Sequence, residues 1–228
     1  MGELSLLARI GLLKILFKDK GDNSLITNYR PLTLGNSDYK LIAKAFAIRL
    51  AKVVHQVVSP NQSGFILGRD IHNNVAEAHL VLKALNRRQR RGIALLLDFE
   101  KAYDRVDRNY LFKTLEHLGF GPQFIWFMQV LHANSSITFT LNGEYTKLID
   151  VVSGVRQGCP IAPLLFAIAT QPFNDILSSW KYFKGVKIGR QKLTNSLYAD
   201  DTTVYAKYGG HIKGALEAIN VYERASGR

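Results

Sequence analysis

Three carboxylates stand where a folding chain gains little from a charge. Asp98 ends the apolar run Ile93-Ala94-Leu95-Leu96-Leu97. Asp200 and Asp201 sit side by side between two β-forming stretches, Leu197-Tyr198-Ala199 and Thr202-Thr203-Val204-Tyr205. A strand end and the tip of a tight turn are places from which a fold can aim oxygen ligands at a hard cation. Taken alone, Asp200 and Asp201 read first as turn formers, because Asp is common in turns. Adjacent like charges repel, however, unless a cation or a basic neighbour offsets them. The single cysteine, Cys159, lies between Gly158 and Pro160 with no histidine placed to activate it, so it reads as a small buried turn residue and not a nucleophile. One cysteine also excludes an intramolecular disulfide and a multi-cysteine zinc site, and the six histidines show no paired ligand spacing.

Alternating α and β elements must position these residues. Ile42, Phe46, Leu50, Val53, Val54 and Val57 recur at helical spacing and predict a helix over 38–58, capped by Ser37 or Asp38 and stopped by Ser59-Pro60. Further helices are predicted over 71–88, 104–118, 122–132, 163–180 and 211–226. Residues 93–99 read as a strand. Residues 61–70, with Gly64 and Gly68, read as a turn or short strand. Asn142-Gly143 favours a type I′ turn and predicts a hairpin of 136–141 with 144–152. Residues 186–188 read as a short strand, and 193–198 with 202–207 as a second hairpin carrying Asp200 and Asp201 at its tip. The fold class is α+β, a mainly antiparallel sheet with helices packed on one side.

The 228 residues are 47% apolar and 21% charged, which excludes disordered and low-complexity classes. A chain of this length forms one large unit or two closely packed ones and needs no disulfide or metal to hold its core. Thirty Lys and Arg against eighteen Asp and Glu give a net +12, which points to a polyanionic partner. The excess is uneven: residues 1–91 carry 15 basic and 6 acidic side chains, +9, and residues 92–228 carry 15 and 12, +3. This predicts a basic region over 1–91 that dominates salt-sensitive polyanion binding, and a chemistry-bearing region over 92–228. The cluster Arg87, Arg88, Arg90, Arg91 reads either as a phosphate contact or as a solvated helix end. The apolar run of residues 4–17 is interrupted by Arg9 and Lys14. No stretch approaches the ~20 apolar residues of a transmembrane helix, so a soluble, intracellular chain without a membrane partner is expected.

Five strings follow one another in order. Asn28-Tyr29-Arg30-Pro31-Leu32-Thr33-Leu34 comes first, then Gln62-Ser63-Gly64-Phe65 with Gly68-Arg69. Leu97-Asp98-Phe99-Glu100-Lys101-Ala102-Tyr103-Asp104 is third. Gly154-Val155-Arg156-Gln157-Gly158-Cys159-Pro160, with Pro163-Leu164-Leu165-Phe166, is fourth, and Tyr198-Ala199-Asp200-Asp201 is last. They resemble the two finger motifs and motifs A, B and C of reverse transcriptases, in wording closest to the non-LTR, LINE-type retrotransposon branch, and cover about residues 20–210.

The resemblance implies the fingers and palm of a right-hand polymerase: fingers over 1–91, with finger motifs at about 28–70, and palm over 92–228, truncated in motif D and with the thumb missing. It implies an RNA-directed DNA polymerase that joins dNTPs to a primer 3′-OH by two-metal nucleotidyl transfer. The partners would be an RNA template, a DNA primer and Mg²⁺, with Mn²⁺ as a substitute, and the location nuclear. By resemblance Asp98 and Asp200 bridge the metals, the Phe99 carbonyl adds a ligand and Asp201 supports the site. Tyr103 would exclude a 2′-OH, Gln157 would pack near the incoming nucleotide and template, and Arg69 and Arg30 would contact the triphosphate. Read as residues only, Tyr103 is a helix-start aromatic packed in the core, Gln157 a turn residue, and Arg30 and Arg69 surface charges. Asp70 departs from the Ser common in relatives and puts a negative charge beside Arg69. Two rival functions stand beside this one: a catalytically inactive, truncated remnant that only binds nucleic acid, and a two-metal nuclease, against which the motif B turn and Tyr103 argue.

Overall fold

Residues 10–17 are apolar almost without interruption, and they form a strand. The computed structural model describes residues 4–87, 92–99, 101–156 and 158–227. It begins with a single turn, α1 (Leu6–Arg9), that runs directly into β1 (Ile10–Phe17). β1 pairs antiparallel with β2 (Tyr29–Gly35). The sequence pattern predicts neither strand: β1, apolar but for Gly11 and Lys14, has no period that separates strand from helix, and Pro31 within β2 argues against a strand there.

The helix expected over 38–58 is two helices, α2 (Ser37–Ala51) and α3 (Val54–Val57). The first is capped by Asn36, whose side chain accepts from the Asp38 N–H, and not by Ser37 or Asp38. Helix α4 (Ile71–Arg87) follows; Asp70 caps it, accepting from the His72 N–H at 2.9 Å. Of the basic cluster, Arg87 ends α4 and residues 88–91 lie outside the described residues. β3 (Ile93–Leu97) leads into turns held by the Lys101 carbonyl, which accepts from the N–H groups of Asp104 and Arg105. Helix α5 (Arg108–His117) therefore starts four residues later than the pattern predicts, where the Asp107 side chain accepts from the Tyr110 N–H. Helix α6 (Pro122–His132) and strand β4 (Ser136–Leu141) match their expected bounds. The Asn142-Gly143 turn has positive φ at both residues, 50° and 89°, as a type I′ turn requires. The returning segment is split into β5 (Glu144–Tyr145) and β6 (Ile149–Asp150).

The helix expected over 163–180 breaks at Thr170 into α7 (Ala162–Ala169) and α8 (Gln171–Ser179). Pro172 explains the break: it has no N–H to give, and it is tolerated only in a first turn. β7 (Val186–Ile188) and β8 (Gln191–Leu193) form a small hairpin. β9 (Asn195–Tyr198) and β10 (Asp201–Ala206) form the acidic one, and α9 (Gly210–Ser226) closes the chain.

The first sheet has the order β2-β1-β4-β5, with β6 on β4; the second is β3-β10-β9 and the third β7-β8. Pairing is antiparallel except between β1 and β4. The β4–β6 segment thus hydrogen-bonds to the N-terminal strands, so the expected division at residue 91 is not a boundary of the sheet. Helix α7 is buried nearly all round, as an apolar helix must be. It lies in the larger of two main core clusters, and the Phe99 ring packs against both of them.

Candidate active site

The β3–β10–β9 register brings the acids together. Leu97 pairs with Thr202 and Tyr198 with Asp201, so Asp98 leaves β3 at the sheet edge where Ala199-Asp200 turns the β9–β10 hairpin. Asp98 and Asp200 both line a cleft of about 1720 Å³. Strands β1, β2 and β4 and the start of α7 supply its other walls. Lys14, Lys18, Arg30 and Lys101 are its cations. Asp201, exposed at the start of β10, does not line it.

The turn itself is unusual. Ala199 has φ 58°, a left-handed conformation that costs a residue with a Cβ about 1–2 kcal/mol. Gln62, fully buried, holds it there. Its Oε1 accepts from the Ala199 N–H at 3.1 Å and the Gly64 N–H at 2.8 Å, and its Nε2 donates to the Ala199 carbonyl at 3.2 Å. On either side, Ser63 N donates to Leu197 O and Leu197 N to Asn61 O. Gly64 is required by proximity: a Cβ there would stand 2.3 Å from the Ala199 nitrogen. The second finger string is therefore the clamp of the acidic turn.

Tyr103 stacks on Phe166, ring centroids 4.9 Å apart, and lines the cleft half-buried. Burial, with a further push from the Asp200 carboxylate, raises its phenol to about 12, so the ring stays neutral. Phe99 lines the cleft and packs edge-on against Phe166, Phe173 and Tyr222. The turn that carries Tyr103 is tied to the fourth string: Val155 N donates to Tyr103 O and Gly154 N to Val106 O, both at 2.9 Å. A Cβ on Gly154 would meet the Asp104 carbonyl oxygen at 2.7 Å. Gln157 lies outside the described residues; its neighbours Gly158 and Cys159 line the cleft. Cys159 is buried, and burial pushes its thiol up.

The structure brings Arg30 to the cleft and leaves Arg69 out of it. The Arg69 guanidinium donates to the carbonyls of His55, Val58, Ser59 and Gln62. Those bonds close the end of α3 and brace the clamp, in place of the expected triphosphate contact. Sequence reasoning assigned no role to Gln62, Lys14, Lys18 or Lys101. For Gln62 the second finger string was the available signal, and for Lys14 its place in an apolar run and for Lys18 its place directly after that run.

A family model described as reverse transcriptase (RNA-dependent DNA polymerase) matches residues 18–227. This chain belongs to that family. The reverse transcriptase chain is 38% identical over 228 residues to the transposon TX1 uncharacterized 149 kDa protein of Xenopus laevis, covering 99% of this chain and 17% of that protein. It is 27% identical over 192 residues to the Pol polyprotein of the type-1 retrotransposable element R2 of Popillia japonica, covering 82% and 26%. These relatives put it in the non-LTR retrotransposon branch, and it spans only about a fifth of their length. A Candida tropicalis telomerase structure in complex with a telomeric RNA fragment superposes with TM-score 0.61 at 11% identity, over 99% of this chain and 40% of that one. An apo telomerase structure from the same organism gives 0.56 at 12%, over 99% and 49%. The fold is that of a right-hand polymerase.

Among the described residues three carboxylates, Asp98, Asp104 and Asp200, line the reverse transcriptase cleft, and the strand register delivers two of them, Asp98 and Asp200, to the end of one sheet. Among the described residues no three His, Cys, Asp or Glu side chains gather to hold an ion by themselves. Two carboxylates suit Mg²⁺, which usually takes one or two and fills its octahedron with waters and substrate phosphates. No helix among the described residues is long and apolar enough to cross a membrane.

Proposed function

We propose that this chain carries out RNA-templated DNA synthesis, joining dNTPs to a primer 3′-OH in the cleft of Asp98 and Asp200. The supporting observation is the strand register that delivers both carboxylates to one cleft that Lys14, Lys18, Arg30 and Lys101 also line. Asp98 and Asp200 would hold Mg²⁺, or Mn²⁺ in its place, with the Phe99 carbonyl as a further oxygen ligand. The cations would supply charge stabilisation to the attacking and leaving oxygens. Asp201 adds negative charge beside the pair and supports them from the start of β10. Lys14 and Arg30, which line the cleft, would meet the polyphosphate, and by the resemblance of the fourth string Gln157 would meet the nucleotide and template. The Tyr103 ring, backed by Phe166, closes the cleft against a 2′-OH. The RNA template is the polyanion that would answer the +12 charge.

The test is extension of a DNA primer annealed to an RNA template, with dNTPs and Mg²⁺. Extension by the wild-type chain should stop on chelation and in Asp200→Asn, while template–primer affinity stays within about two-fold. Tight template–primer binding with no metal-dependent extension would overturn the reading and leave a binding-only protein.

A further inference from the structure

The C-terminal region carries a net +3, but its charge is gathered on one spot. Lys184, Lys187, Arg190, Lys192 and Lys207 rim a recess of about 730 Å³ floored by Ala84, Leu85, Gly185 and Val186. All five are exposed, and among the described residues no acidic side chain lines the recess and none of the five is paired with a carboxylate. With those five removed, the rest of residues 92–228 has 10 basic and 12 acidic side chains, −2. The rim is built by the fold: Lys207 N donates to Lys184 O at 3.0 Å, joining the exit of β10 to the entry of β7. In the β7–β8 hairpin Lys187 lies directly opposite Lys192. Directly opposed like charges destabilise an antiparallel pair, so this hairpin keeps a repulsion that an anion between the two ammonium groups would relieve. Tyr208, 50% exposed, stands at the rim with its ring against His211, centroids 4.2 Å apart.

We infer that this recess is a second nucleic-acid site, separate from the acidic cleft, that takes a single-stranded segment. The lysines and Arg190 meet successive backbone phosphates, and an unpaired base stacks on Tyr208 above the Leu85–Val186 floor. A single strand fits better than a duplex, because only unpaired bases offer a face to an aromatic ring. An acidic peptide would answer the charge but has no use for the exposed ring. The inference does not depend on the polymerase reading, since none of these residues lines the catalytic cleft.

The experiment is fluorescence anisotropy of the whole chain with a labelled oligonucleotide of about 12 nucleotides, RNA or DNA, between about 50 and 200 mM salt. Lys187→Gln/Lys192→Gln should lower the logarithmic salt slope by about 1.4, since each single-strand phosphate that goes unneutralised takes away about 0.7. Its melting temperature without nucleic acid should be no lower than wild type, because the opposed charges are gone. Lys187→Arg/Lys192→Arg should restore the slope. Tyr208→Ala should weaken single-strand binding with the slope unchanged and leave duplex binding unaltered. Equal losses for RNA and DNA assign the contacts to phosphate; a loss confined to one assigns that strand. An unchanged slope in the double variant, an equal loss in Lys113→Gln/Lys147→Gln, or displacement of the strand by polyglutamate at equal charge would overturn the inference.

Discussion

Tyr103 is held from both sides: Phe166 stacks beneath it, and its own carbonyl accepts from Val155 of the fourth string. A ring fixed that way is a wall and not a flap. An rNTP would have to displace a packed aromatic, and overpacking of that kind costs roughly 1–3 kcal/mol, about ten- to a hundred-fold in rate. Tyr103→Val should raise the rNTP/dNTP incorporation ratio by that order while dNTP use falls modestly. An unchanged ratio in an active enzyme, measured by single-nucleotide incorporation, would make the ring a core residue only. Asp98 and Asp200 were legible as residues because a charge at a strand end or a turn is locally conspicuous. Gln62 was not, because its work depends on Ala199, 137 positions away, and nothing in Gln62-Ser63-Gly64-Phe65 alone tells which backbone it grips. The bonds of Arg69 were hidden for the same reason: four carbonyls of a nearby loop satisfy its guanidinium, and no local pattern reveals them.

Among elements, the β9–β10 hairpin depends on a loop outside its own sheet. Gln62→Met keeps the length of the side chain but leaves the Ala199 N–H and carbonyl and the Gly64 N–H without their partner. An unsatisfied buried polar group costs about 1–3 kcal/mol. The turn should relax, so we expect a lower melting temperature and a kcat at least about ten-fold down, with KM for the template–primer little changed. Gly64→Ala should do the same through its Cβ, whereas Gly121→Ala, with nothing within 4 Å, should be silent in both readouts. Thermal melting with steady-state extension kinetics checks all three. Elements with a local signal were legible: Asn142-Gly143 fixed its turn by two positive φ angles, and α6 by its Pro and its period. β1 and β2 were not, since the run of β1 gives no period and Pro31 argues against a strand in β2. The break between α7 and α8 was missed because a proline in a first turn ends one helix and opens the next without interrupting the apolar pattern.

At the scale of the molecule, the acidic cleft is assembled from chain segments that sequence reading assigned to separate regions. β1 and β2 line it together with Asp98 and Asp200, and β4 joins β1 in the same sheet. The division at residue 91 followed net charge, which records how many cations a region has and not which strands they share. Stability has its own whole-chain handle in His132, fully buried at the end of α6. Burial holds its imidazole down to about 4, from an ordinary 6.5. The unfolded chain binds a proton below about pH 6.5 while the folded chain does not, so this group withdraws stability as pH falls from about 6.5 to about 4, by about 3 kcal/mol at most, and has no effect above that window. Urea unfolding of wild type and His132→Gln across that range should show the steeper acid loss in the wild type. Equal slopes would mean that other groups carry it. The claim that Asp98 and Asp200 act as one site is tested most directly by metal-dependent single-nucleotide incorporation in Asp98→Asn, Asp200→Asn and the double variant. Groups acting as a unit are non-additive, so each single change should remove incorporation and the double should lose no more than either. Full activity in either single variant, or a double loss equal to the product of two partial ones, would contradict it.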